Sequence, residues 1–168
     1  MRLALLLAVS FCPVLHASDD WGALRFLVGR WTAEGGGAPG QGSGGFSFEP
    51  DLQGRVMVRK SHTEYPATKD RPAFAHDDLM IIFRDPDERA EGAVRALYFD
   101  NEGHVIRYNV NMFGDRVVFA TDPGEPAPHY RLTYERTGSD GLRVRFEIAP
   151  PGKGFSTYVD GAAKRSLN

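Results

Sequence analysis

From position 30 onward the chain alternates apolar and polar residues in short runs, and clusters of Gly, Pro, Asn and Asp interrupt the runs every eight to twelve residues or so. Such runs are strands with one face buried, because successive side chains on a strand point to opposite sides. The pattern predicts strands at residues 30–35, 46–48, 55–62, 78–84, 94–99, 104–111, 116–121, 129–135, 142–148 and 155–162. In the third, Val56 and Val58 share a face; in the ninth, Leu142, Val144, Phe146 and Ile148 oppose Arg143, Arg145 and Glu147. Asp100-Asn101-Glu102-Gly103 has the composition of a hairpin turn. Residues 19–28 read differently, as a short helical turn with Asp19 or Asp20 as N-cap and Trp21, Leu24, Phe26 and Leu27 on its apolar side. Consecutive hairpins favour a meander, and so long a meander removes its edges only by closing. The expected fold is all-β: an antiparallel up-and-down β-barrel of about ten strands, with the short N-terminal helical turn plugging one end.

The first 17 residues carry a different pattern. Arg2 precedes an apolar stretch from Leu3 to Phe11, too short to span a bilayer, and Ala17 is a small residue suited to cleavage. This reads as a secretory signal peptide over 1–17, followed by a single domain over 18–168, and it implies an exported protein, periplasmic or secreted. Phe11 before Cys12 is too large for a lipoprotein cleavage site. Cys12 is the only cysteine, so the mature chain has no thiol, disulfide or cysteine-based metal site. No later segment is apolar enough for a transmembrane helix. The formal net charge of −2 is small and mixed in sign, which gives no footprint for nucleic acid. The oligomeric state is not encoded in any of these features.

Little catalytic chemistry stands out. The glycine-rich stretch 35–45 lacks the Gly-Lys-Ser/Thr ending and following helix of a phosphate loop, and reads as a wide hairpin or bent strand. There is no Gly-x-Ser-x-Gly elbow. The histidines beyond the leader, His62, His76, His104 and His129, share no spacing that builds a metal site; His76-Asp77-Asp78 reads as a polar loop end before a strand, and His104 and His129 as solvated. No catalytic and no metal-binding residues are predicted. The strand arginines, among them Arg55, Arg59, Arg95, Arg143 and Arg145, read mainly as an outer charged face. Tyr98, Tyr108, Tyr130 and Tyr134 share faces with Ala96, Val110 and Leu132, which predicts an aliphatic interior containing tyrosines. An arginine pointing inward would pair a carboxylate head group, and Arg107 and Arg131 are the candidates.

The segment Phe26-Leu27-Val28-Gly29-Arg30-Trp31, with Glu34-Gly35 and the glycine-rich hairpin behind it, resembles the start of a calycin-superfamily barrel. Within that superfamily it is most similar to lipocalin-like bacterial domains of unknown function, and more distantly to nitrobindin-type ten-stranded haem barrels. The resemblance implies that Gly29 and Trp31 close the barrel, with Lys164 or Arg165 packing on the indole, and Arg165 is taken as the residue. It also implies a haem-ligating histidine near the C-terminus. This chain has no histidine after His129 and offers Tyr158 instead, so no cofactor is predicted and haem is the less favoured alternative.

The functional expectation is an exported barrel that binds a small apolar or amphipathic molecule without catalysis, through Tyr98, Arg107, Tyr108, Tyr130, Arg131, Tyr134 and Tyr158. The alternative is a structural or interaction module of the cell envelope with a filled barrel. A second alternative is a haem-binding or enzymatic barrel, which requires His62, His76 or Tyr158 to converge on the cavity.

Overall fold

A computed structural model describes residues 21–34, 42–86, 92–124, 126 and 128–166. The predicted leader, Asp19, Asp20 and most of the glycine-rich stretch lie outside the described residues. A 3₁₀ turn, Gly22–Leu27, precedes ten strands: β1 (Gly29–Glu34), β2 (Ser43–Asp51), β3 (Val56–Tyr65), β4 (Phe74–Arg84), β5 (Val94–Asp100), β6 (Val105–Phe113), β7 (Arg116–Ala120), β8 (His129–Arg136), β9 (Gly141–Ala149) and β10 (Ser156–Arg165). Each strand pairs antiparallel with the next, and β1 pairs with β10, so the sheet is a closed up-and-down barrel. Among the described residues no helix is long and apolar enough to cross a membrane.

One end of the barrel is plugged. Leu24 and Leu27 of the 3₁₀ turn are fully buried, as are Phe48, Met57, Ile82, Val117 and Leu142 beneath them. Trp31, 2 % exposed, donates its indole N–H to the Leu27 carbonyl at 2.8 Å. Arg165 sits over the indole at 4.2 Å and donates to the carbonyls of Val28 (2.7 Å) and Phe26 (3.1 Å). The turn would otherwise end with those carbonyls unsatisfied. Gly29 is required by this latch. Its φ is +122°, and a Cβ there would lie 2.5 Å from Arg165 Nη1. Lys164 points the other way, to Glu34 at 2.5 Å.

Three differences from the sequence reading bear on the site. First, β3 is turned over: Met57 and Arg59 are buried inside, while Val56 and Val58 lie on the outer face. Second, β4 begins at Phe74 rather than at 78, so His76 and Asp78 are strand residues on the face of buried Met80 and Ile82. Third, β2 begins at Ser43, so Gly44 and Gly45 belong to a strand. A Cβ on Gly45 would meet the Trp31 carbonyl oxygen at 2.4 Å, and one on Gly44 the His62 carbonyl oxygen at 2.0 Å. These glycines let β2 lie close to both neighbours.

Candidate functional site

The end of the barrel opposite Trp31 holds an interior cavity of about 410 Å³, within the size range of small-molecule sites. Its two walls differ in chemistry. On the β8–β10 side, Tyr130, Leu132, Val144, Phe146, Ile148 and Ala163 present no charged group. The Tyr130 and Phe146 rings lie parallel there, 6.0 Å apart. On the β3–β6 side the inward positions are Arg59, His76, Asp78, Tyr98, Asp100 and Tyr108. The mouth is framed by Tyr65 stacked on Phe74 at 4.6 Å, with Arg71 4.2 Å over the Phe74 ring, and by exposed Tyr158 packed edge-on against Phe146.

At the cavity floor lies a buried ion pair. Arg59 Nη1 donates to Asp78 Oδ1, with the two side chains 8 % and 6 % exposed. The guanidinium also lies 5.3 Å from the centre of the Phe46 ring and 6.0 Å from that of Tyr134. Burial opposes the Arg59 charge, but Asp78, Tyr134 and Tyr98 outweigh it and hold the group above its ordinary range. Arg59 Nε makes no hydrogen bond, and the Tyr134 hydroxyl lies beside the guanidinium and supports its charge. Asp78 Oδ2 has His76 Nε2 at 3.9 Å, beyond hydrogen-bond reach.

Nearer the mouth a second network is closed on itself. His76 contacts Tyr98 Oη through Nε2 at 3.1 Å and Glu102 Oε1 through Nδ1 at 2.9 Å. Asp100 Oδ1 accepts the backbone N–H groups of Glu102 and His104 at 3.0 and 2.9 Å, while Oδ2 faces His104 Nδ1 at 2.8 Å and accepts from Tyr98 at 3.3 Å. Burial pushes the Asp100 carboxyl upward, but the hydrogen bonds from His104 and Glu102 prevail and hold it below the usual range. Burial pushes the Tyr98 and Tyr108 hydroxyls well up, and Tyr134 up to about 12. All three tyrosines are neutral donors at physiological pH.

The structure brings four of the sequence-predicted residues, Tyr98, Tyr108, Tyr130 and Tyr158, to the cavity. Tyr134 lies beneath it, fully buried among Phe46, Phe48 and Phe119. Arg107 and Arg131 are on the outside. Arg107 is exposed on β6, out of phase with buried Tyr108. Arg131 binds Glu147 of β9 through two bonds, 2.7 and 2.8 Å, and covers Phe155 at 4.2 Å. The inward arginine is Arg59, and the carboxylate it pairs is the protein's own Asp78. Of His62, His76 and Tyr158, His62 stays on the outer face against Asp77 at 2.6 Å. His104 is exposed but not idle, since it holds Asp100. His76, named only for the haem or enzymatic alternative, lines the cavity, and Asp78, read with it as a loop end, does too; sequence reasoning missed Asp100, and the signal for the other two was their two-residue spacing on one strand face.

Tyr158 is 60 % exposed at the mouth, and His76 is held through both ring nitrogens, by Glu102 and Tyr98, while His104 meets Asp100 through Nδ1. Among the described residues, no group of three or more His, Cys, Asp or Glu is placed to hold a metal ion.

A second depression, about 960 Å³, crosses the outer surface of β1–β5. It is wide open to solvent. Leu79 and Phe99 line it, together with Arg30, Glu49, Lys60 and Asp77. Larger volume does not make it the better candidate, because a shallow surface open to solvent leaves most of a small ligand unburied.

No protein-family model and no curated protein matches the chain.

Proposed function

We propose that this chain is an exported, calycin-type barrel of lipocalin-like kind that holds a small, largely apolar molecule in its interior and performs no chemistry on it. The observation that carries the reading is the cavity itself. A barrel of this strand number can be filled by its own side chains; here one end is packed solid while the other keeps about 410 Å³ between an apolar wall and a cluster of buried polar groups. Retaining a buried ion pair in such a place costs stability that an apolar core would not. The leader-like pattern at residues 1–17 and the Gly29-Arg30-Trp31 start support export and the calycin relationship respectively.

The test is native mass spectrometry of the mature chain purified from a periplasmic extract, before and after denaturation. A small molecule that co-purifies and leaves on unfolding supports the reading. A clean apo mass, together with no uptake of apolar probes by the folded protein, refutes it.

An interaction module is the second reading, and one observation favours it. The outer face of β3–β5 carries Val58, Leu79, Ile81, Phe83, Leu97 and Phe99 in register across three strands. Its neighbourhood bears both signs of charge, Arg30 and Lys60 with Glu49 and Asp77, which suits a second copy of the same surface. This reading expects a concentration-dependent dimer by sedimentation that Leu79→Ser with Phe99→Ser dissociates.

A further inference from the structure

The cavity floor recognises a head group through Arg59 and Asp78, and the geometry points to a neutral one that offers a hydrogen-bond acceptor beside a donor, as a carboxamide or lactam does. This deepens the proposal that the cavity holds a small apolar molecule and rests on it.

The argument begins with charge. Arg59 and Asp78, both buried, neutralise each other in the cavity wall. A ligand carboxylate placed there would face Asp78, and a ligand ammonium would face Arg59. Either ion would leave one like charge against it in a water-poor site, where desolvation is costly. The other carboxylates do not change this. Asp100 is saturated by two backbone N–H groups, His104 and Tyr98, and the Glu102 side chain is 57 % exposed at the mouth, where solvent screens it.

The unused polar atoms supply the second step. Arg59 lines the cavity with a side chain more than nine-tenths buried, and its unpartnered Nε is covered by neighbouring atoms. Asp78 Oδ2 has no partner within hydrogen-bond reach on the same ion pair. The Tyr108 hydroxyl, on the neighbouring inward position of β6, is a neutral donor facing the same space. The ion pair and Tyr108 therefore combine donors with a free carboxylate oxygen. A carbonyl oxygen satisfies the donors and an adjacent N–H satisfies Asp78, while the net charge of the floor stays zero. The apolar body of the ligand then lies along Phe146, Val144 and Leu132.

The experiment is calorimetric titration of the folded mature protein with four probes sharing one tail: octanamide, octanol, octanoate and octylammonium. Octanamide binds at least about tenfold more tightly than either ion, a difference of about 1.4 kcal/mol. Asp78→Asn, which leaves the guanidinium uncompensated, turns the preference toward octanoate; Arg59→Met turns it toward octylammonium. If either single variant fails to fold, Arg59→Met with Asp78→Leu removes both charges, and that protein binds octanamide no better than octanol. An ion bound as tightly as octanamide by the native protein overturns the head-group assignment. Equal binding of all four probes overturns it too, yet leaves the container reading standing. Binding of none refutes the container reading itself.

Discussion

Replacing the two members of the buried ion pair, singly and together, separates a structural role from a functional one. Asp78→Leu strands the Arg59 guanidinium in a site where its side chain is 8 % exposed. Removing one partner of a buried pair costs about 3–5 kcal/mol. The Phe46 and Tyr134 rings, 5.3 and 6.0 Å away, still face the cation and retain roughly 0.5–2 kcal/mol of attraction. The expected loss therefore falls near the lower bound, about 3 kcal/mol. Arg59→Met strands the carboxylate with no ring to soften the loss, and is expected nearer the upper bound, about 5 kcal/mol. Additivity would put the double variant about 8 kcal/mol below the native protein. The buried-pair argument puts it level with the native protein or up to about 4 kcal/mol above it, because no uncompensated charge remains. Urea unfolding gives all four values. With a slope near 2 kcal/mol per molar, a 3 kcal/mol loss moves the midpoint by roughly 1.5 M. A double variant as unstable as the sum of the singles would refute the reasoning, and so would an Asp78→Leu loss below about 1 kcal/mol.

Other perturbations test other parts of the molecule. Arg165→Ala removes the cation over Trp31 and the donors to Val28 and Phe26, and should cost about 2–4 kcal/mol in urea unfolding. Arg165→Lys should recover only part of this, since an ammonium cannot span both carbonyls. At the β2–β3 turn, Leu52 and Gln53 have φ of +48° and +57°. Leu52→Asn with Gln53→Gly should relieve that strain and raise stability by about 1 kcal/mol, visible as a higher Tm. Among the described residues, three carboxylates are held below their ordinary range: Glu147 by Arg131, Asp160 by Arg143, and Asp100 by His104 and Glu102 in spite of its burial. Each stabilises the fold above about pH 4 and loses that contribution as pH falls through its lowered value. Tm should therefore drop on acidification below about pH 4, and Glu147→Gln should flatten that acid limb while costing up to about 1 kcal/mol at neutral pH. Gly45→Ala drives a methyl group into the Trp31 carbonyl, 2.4 Å away, and should cost more than about 2 kcal/mol or abolish soluble expression.

The barrel was legible because its turns are conventional and because β5, β6, β8 and β9 alternate cleanly; the interior tyrosines followed from that alternation. The latch was legible through Gly29 and Trp31. Arg59 and Asp78 were not, and the cause is specific. On β3, Val56 and Val58 are apolar but face outward, while the inward set contains Arg59, Ser61 and Thr63. On β4, Leu79 to Phe83 are all apolar, so neither face is marked. Period-two reading assigns the apolar face to the core. Where the outer surface is apolar too, it loses one residue of register, and one residue reverses every side chain. Arg107 and Arg131 were taken as inward candidates on polarity alone. Their true partners, solvent and a cross-strand Glu147, depend on pairings between strands that no local pattern contains.

Closure of the barrel through β1 and β10 has a kinetic consequence. Thr32 and Ser166, joined across that seam, are 134 residues apart in the chain, and contacts so distant form slowly because the loop between them must first be ordered. Nine of the ten pairings join strands adjacent in sequence; only that of β10 with β1 does not. Until it forms, β1 and β10 are open edges, the latch over Trp31 has no arginine, and the unclosed sheet is able to pair with another chain. The finished molecule offers no such edge. Its exposure to edge-to-edge association is confined to the interval before the last strand docks, so a variant that slows docking at Arg165 should aggregate during refolding at temperatures where the folded protein is still stable.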